Sequence, residues 1–371
     1  MLREQLLPTG RVRFLGHHDY LGPRAGDHEL FSFDADDTVS VRVRRAVVDA
    51  TYLQGAIPAT TPPPFDIDEG ATVVPPGALP DIAGGALGFT VIGAGKTGMD
   101  TVTWLVDQGV DPDAIRWIKP RETWLLNRRW YQPRTLVTDM VEGLSLSLEA
   151  AAEASDVADL FARLEAHEQL LRVDRNVEPT MYRCATISRT EIATLQQVEH
   201  VVRQGRVLRV GSHEIDLEHG SIPTSPGHIH VNCTAEGVPT KPARPVFEPG
   251  KITVQAVRTC QPVFNAALIG FLEGRGASVE RNNELTPPNP YPSHATDWIA
   301  NNETSQRVQS RWNQDADVSA WLEGSRLNIG AGIRDYFADP AMQSALTRYI
   351  TYAEPAIENL ARLRTGVVQR V

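Results

Sequence analysis

Cysteine is scarce: only Cys184, Cys233 and Cys260 occur in 371 residues. Their wide spacing makes no disulfide framework, zinc pattern or Cys-x-x-Cys pair, so each reads as a small buried apolar residue. The dithiol chemistry of disulfide reductases is therefore not expected. Long apolar runs are also missing, and none approaches the roughly 20 residues that cross a bilayer. The opening Met1-Leu2-Arg3-Glu4-Gln5 offers neither an apolar stretch nor a signal-type cleavage site, which points to a cytoplasmic protein without membrane association. Positive charge is not in excess. Lys plus Arg number 36 against 46 Asp plus Glu, a net charge of -10, so there is no general attraction to nucleic acid. No Gly-x-Ser-x-Gly element marks a nucleophile. Asp34, Asp36 and Asp37 lack the glycine and distal glutamate of a calcium loop, and neither His17-His18 nor His228 and His230 have carboxylates at metal-ligand spacing. No metal site and no catalytic side chain can be nominated.

What remains is an ordinary globular composition, 42% hydrophobic and 22% charged, long enough for two domains. Residues 2–7 read as the end of a helix. Short strands follow at 11–15, 29–33 and 38–44, where Val39, Val41 and Val43 alternate with polar residues. Residues 46–51 read as a buried strand, and a proline-rich linker runs from 57 to 64 and loosely on to 80. Later helices are expected over 97–110, 145–171, 191–204 and 263–273, with strands at 115–119, 206–210, 214–217, 228–233 and 252–255. The C-terminal part, around Trp298, Trp312 and Trp321, is helical, with the tryptophans as core or interface anchors. Pro355 suits the first turn of a last helix. A strand meander leading to a buried strand occurs twice, at 11–51 and at 206–234. This suggests a duplicated dinucleotide-binding plan entered partway through its first copy; two ordinary meanders are the alternative.

One motif carries chemistry. Phe89-Thr90-Val91-Ile92 runs into Gly93-Ala94-Gly95-Lys96-Thr97-Gly98, and an amphipathic stretch follows. A buried strand, a Gly-x-Gly-x-x-Gly turn and a helix hold a dinucleotide diphosphate through main-chain N–H groups. Gly93 permits the sharp turn, Gly95 lets the backbone approach the ligand, and Gly98 lets the helix sit against the strand. Lys96-Thr97 raises the NTPase phosphate loop as a competitor, but Thr90 occupies the place of that motif's first glycine. After the next strand the chain has Lys119-Pro120-Arg121 rather than an acidic residue, which favours the 2′-phosphate of NADP, although Glu122 follows at once.

The stretch 89–133 resembles the NADP-binding domain of flavoprotein oxidoreductases with two dinucleotide-binding domains. It resembles above all their flavin-containing monooxygenase-like branch, within the pyridine nucleotide-disulfide oxidoreductase superfamily. Gly93 to Asp100 and Trp124-Leu125-Leu126-Asn127-Arg128 carry the likeness. Fainter echoes are Val48-Asp49-Ala50-Thr51 and Asn232-Cys233-Thr234-Ala235, where such proteins cross between domains, and Pro262-Val263-Phe264-Asn265 in the returning flavin segment. The resemblance implies an α/β fold in which a Rossmann-like NAD(P)-binding domain, residues 86–236, is inserted in a partial FAD-type domain. The latter comprises 1–85 and 237–371 and ends in helices. It implies NADP bound by Gly93, Ala94, Gly95, Lys96, Thr97 and Gly98, with Lys119 and Arg121 on the 2′-phosphate and Thr234 and Ala235 nearby. It also implies FAD. Residues 1–85, however, hold no Gly-x-Gly-x-x-Gly, and the fingerprint Phe-x-Gly-x-x-x-His is missing: Phe14-Leu15-Gly16 is followed by Tyr20. The expectation is thus an N-terminally incomplete flavin-linked oxidoreductase acting on a small molecule, with self-association open. A non-catalytic NADP-binding or redox-sensing remnant is the alternative.

Overall fold

A computed structural model describes residues 1–24, 26–82 and 84–368. The chain is mixed α/β, with several sheets and a long C-terminal helix. It divides into two compact units, residues 1–49 with 247–253, and residues 50–246 with 254–371. The expected boundaries at 85 and 236 fall inside the larger unit. The reason lies in the proline-rich linker, which supplies two strands to that unit's sheets.

In chain order the first strands are β1 (His18–Arg24), β2 (Asp27–Ser32), β3 (Asp37–Val41) and β4 (Val47–Asp49). The first three form an antiparallel meander, and Val39 and Val41 turn half inward while Ser40 faces out. Residues 11–15 join no ladder among the described residues. The buried strand expected at 46–51 is only β4, and Val48 is 57% exposed. Among the described residues it pairs with one strand of the same unit, the returning Lys251–Thr253, so an apolar run alone does not bury it.

The larger unit opens with β5 (Asp66–Ile67), β6 (Thr72–Val74), the short helix α1 (Leu79–Ile82), β7 (Gly88–Ile92) and α2 (Lys96–Asp107). Next come β8 (Ile115–Ile118), β9 (Thr123–Asn127), α3 (Val137–Glu153), α4 (Val157–Ala166), β10 (Leu170–Leu171), β11 (Met181–Ile187) and α5 (Arg189–Leu195). Then follow β12 (Val201–Val202), β13 (Val207–Val210), β14 (Glu214–Leu217), β15 (Gly220–Pro223) and β16 (His228–Asn232). The strands β17 (Phe247–Glu248) and β18 (Lys251–Thr253) complete the smaller unit.

The centre of the larger unit is a five-stranded parallel sheet in the order β12-β8-β7-β16-β6. All five residues of β7 are buried, as a continuously apolar strand between two parallel neighbours should be. One sheet face, with Phe89, Val91, Ile115, Trp117, Ile229 and Val231, packs on α2 through Met99, Val102 and Leu105. Each of these three helix side chains is at most 1% exposed, worth roughly 1.5–3 kcal/mol apiece. The opposite face, with Ile92 and Ile118, is covered by the antiparallel meander β13-β14-β15 through Val207, Val210, Ile215 and Leu217. The sheet is thus held between helices and a second sheet.

Helical boundaries shift where local capping is strong. The helix expected over 145–171 starts earlier, at Val137, and breaks before Asp156, whose side chain accepts from the Asp159 N–H and starts α4. The helix expected over 191–204 stops at Leu195, and the chain then extends as β12 beside β8. It begins with a reciprocal capping box, Ser188 with Glu191.

The C-terminal helices are α6 (Pro262–Arg275), α7 (Val279–Leu285), α8 (Asp297–Gln314), α9 (Ala316–Gly324) and α10 (Pro340–Val368). Pro355 lies inside α10 rather than at its start. Ala356, Leu360 and Leu363 pack with Leu148, Ala151, Trp298 and Ile299, and Asn359 Nδ2 donates to the Ala151 and Ala154 carbonyls at the end of α3. Together with Tyr349, Tyr352 and Ala353, which pack in the same cluster before Pro355, this offsets its missing N–H. Trp298 and Trp312 are core, the latter donating to the Leu285 carbonyl at 2.7 Å.

The cysteine expectation is corrected. Cys184 and Cys260, 76 residues apart, form a disulfide with a Cα–Cα distance of 6.3 Å, and Cys233 alone is a buried free thiol. The pairing is made by the fold, which brings β11 to the segment before α6; sequence spacing holds no trace of it.

Candidate functional site

The carboxyl ends of β7, β8 and β16 converge at the reversal of strand order, because the chain leaves β7 towards β8 and later returns to its other side as β16. In open parallel sheets this crevice is where ligands are held. Gly93 ends β7 with φ of 132°, a conformation open to glycine. Its N–H donates to the Ile118 carbonyl at 3.0 Å, and its carbonyl accepts from Trp117 Nε1 at 2.8 Å. A Cβ at 93 would lie 2.7 Å from the Cys233 carbonyl oxygen, and one at 98 would lie 2.3 Å from the Gly93 carbonyl oxygen. Both glycines are therefore demanded by close approach of backbone to backbone.

Gly95 is different. It is exposed, and a Cβ there would meet nothing within 4 Å. It is the N-cap of α2, whose first turn has no side-chain cap and no acidic residue. Thr97 is also exposed, while Ala94 is buried. The turn consequently presents main-chain donors to open space at the positive end of a helix. Lys96 borders it, ion-paired with Asp100 and with Glu191 Oε1, the latter at 3.1 Å. Burial opposes ionisation of Glu191, but hydrogen bonds from Ser188 and Lys96 hold its carboxyl down at about 2. Arg128 Nη2 reaches the same carboxylate at 3.3 Å.

Lys119 and Arg121 part company. The Lys119 ammonium is 2% exposed, 2.6 Å from Glu122 Oε2 and over the Trp117 ring at 4.3 Å. Arg203 Nε shares Glu122, donating to Oε1 at 2.9 Å. Burial lowers the Lys119 pKa although Glu122 acts against it. Lys119 is thus a buried structural cation, and its expected place on a 2′-phosphate is corrected; Glu122, the acidic residue that clouded the sequence reading, is the partner that draws it inward. Arg121 is half-buried and forms no ion pair among the described residues. Burial lowers its pKa, and the charges of Arg183 and Arg206 lower it further. Arg183, on β11, holds Glu236 Oε1 at 2.7 Å just beyond Thr234 and Ala235.

Thr234 Oγ1 donates to Asn232 Oδ1 at 2.6 Å, and its N–H donates to the same oxygen at 3.1 Å, closing the end of β16. Thr234 and Ala235 are half-buried. Cys233 Sγ lies 3.4 Å from Thr101 Oγ1, which pins α2 to β16. Of the sequence-nominated residues, Gly93, Ala94, Gly95, Lys96, Thr97 and Gly98 form one turn, with Cys233 beside it leading into Thr234 and Ala235. Sequence reasoning missed Arg183, Arg206, Arg128 and Glu191. Ser188-x-x-Glu191 was a legible capping signal; the arginines carry no local pattern.

No family model matches the chain. It is 40% identical over 334 residues to uncharacterized proteins of Mycobacterium bovis and of two Mycobacterium tuberculosis strains, which covers 90% of this chain. The chain spans 61% of the length of those relatives.

Proposed function

We propose that this chain binds NADP(H) at the carboxyl ends of its parallel sheet, through a Rossmann-like domain, and that it serves a flavin-linked oxidoreductase of the monooxygenase kind. The observation that carries the nucleotide reading is the Gly95 corner. Two neighbouring glycines fix the turn by contacts that exclude a side chain, while the one between them faces open space beneath an uncapped helix start. The order β12-β8-β7-β16, with a meander inserted before β16, agrees with a dinucleotide-binding plan. In this reading the N–H groups of residues 95–97 hold the diphosphate. Arg121, without a carboxylate partner among the described residues, takes the 2′-phosphate in the field of Arg183 and Arg206. Lys96 trims the charge at the diphosphate, its ammonium being shared with Asp100 and Glu191. When bound, NADPH supplies a hydride; the chain's own residues bind and orient it.

The flavin fits less well. The described residues of the smaller unit offer only Leu2–Leu6 and Leu7–Thr9 as helical segments, and no helix there follows a buried strand. They supply no second diphosphate cradle, so no step is derived through FAD. This favours a second reading, in which the chain associates with NADP without turnover. Titration of the purified chain with NADPH and NADH, together with its absorption spectrum, separates the two. NADPH-selective binding with bound flavin supports the enzyme, and NADPH-selective binding by colourless protein supports the second reading. No binding of either nucleotide refutes both.

A further inference from the structure

The Cys184–Cys260 bond has surroundings that favour its opening. Both half-cystines hold the left-handed backbone region, with φ of 56° at Cys184 and 63° at Cys260, where a side chain with a Cβ is disfavoured. Cys184 sits in a break of the β11/β9 ladder. Between Tyr182 and Thr186 the strand β11 takes four steps while β9 takes two, from Trp124 to Leu126. Both cysteines are half-buried, so neither is sealed from a small thiol. The residue before each one carries a buried polar atom without a partner, Arg183 Nε and Thr259 Oγ1. Arg258, two residues before Cys260, has no carboxylate partner among the described residues and is held by Asn328, Gln309 and the Phe264 ring.

We infer that Cys184–Cys260 is a reversible redox site, opened by thiols of the glutathione class and closed by their disulfides. A reductant thiolate attacks one sulfur, the S–S bond breaks, and the electron pair leaves on the other cysteine. A second reductant thiol then releases the mixed disulfide. The balance is two reductant thiols consumed, one reductant disulfide formed and two protein thiols gained. Opening frees β11 to relax its register break. Exposed or strained disulfides are the readily reduced ones, and this pair combines partial exposure with an unfavourable backbone at both cysteines and a break in the β11/β9 ladder. The inference is independent of nucleotide binding.

The test uses the native chain in glutathione buffers, quenched with an alkylating reagent and weighed intact. Reduced glutathione in large excess over its disulfide gives two alkylated cysteines without unfolding, while an oxidising buffer gives none. Cys233 stays unlabelled in both, since burial pushes its thiol up to about 11. A bond that resists the reducing buffer until denaturant is added would overturn the inference. So would free thiols under both buffers.

Discussion

Lys119 and Arg121 lie two residues apart at the end of one strand, and burial assigns them opposite work. The Lys119 ammonium is enclosed with Glu122, so its removal leaves a buried carboxylate that Arg203 compensates only in part. Lys119→Met should lower unfolding stability by about 2 kcal/mol, below the full cost of breaking a buried pair, and leave the NADPH-to-NADH affinity ratio unchanged; urea unfolding and nucleotide titration read the two effects. Arg121→Ala should do the reverse. A lost charge-assisted hydrogen bond of about 1.5–3 kcal/mol weakens NADPH roughly ten- to hundredfold, with NADH little affected and the unfolding midpoint unmoved. Lys119-Pro120-Arg121-Glu122 showed in the sequence that cations follow this strand, but not which one turns inward, because that choice is made by Trp117 and Arg203 from elsewhere in the fold. His230 is a second case. Buried at 2% exposure beside His228 and Arg116, its imidazole is lowered to about 4, first by burial and then by those neighbours. The unfolded chain takes up this proton near pH 6.5, before the folded one does. The folded state therefore keeps its full stability above that pH and loses up to roughly 3 kcal/mol as pH falls towards 4. His230→Phe should flatten this part of the stability profile, as followed by thermal melts across pH 4–7.

At the scale of elements, the strand-turn-helix around Gly95 was fully legible, since β7 and α2 depend on local pattern and on three glycines with local duties. Gly98→Ala should be strongly destabilising, by about 2 kcal/mol or more, because its Cβ would meet the backbone oxygen of Gly93 rather than a flexible side chain. The Cβ of Gly95→Val would meet nothing within 4 Å, so the fold should survive while the bulky side chain blocks the diphosphate; a thermal melt alongside an NADPH titration distinguishes the pair. The meander strands β13 and β14 were likewise expected, at 206–210 and 214–217. The long helix α10 was not, since Pro355 reads as a beginning, and only the packing of Ala356, Leu360 and Leu363 carries the helix across it. Nor was the disulfide, which depends on two segments meeting through the fold.

For the whole molecule, the sequence suggested two domains, with limits at 85 and 236 taken from the resemblance. The proline-rich stretch that looked like a linker contributes β5 and β6 to the larger unit, so contact rather than composition sets the division at residue 49 and at 247–253. The relatives are longer than this chain, which spans 61% of their length. The most direct test is a calorimetric titration of the chain with NADPH and NADH, run in parallel on Gly95→Val and Arg121→Ala. The account predicts that NADPH binds more tightly than NADH, that Gly95→Val abolishes both, and that Arg121→Ala erases only the preference. Equal binding of the two nucleotides by the native chain, or NADPH binding that persists in a folded Gly95→Val, would contradict it.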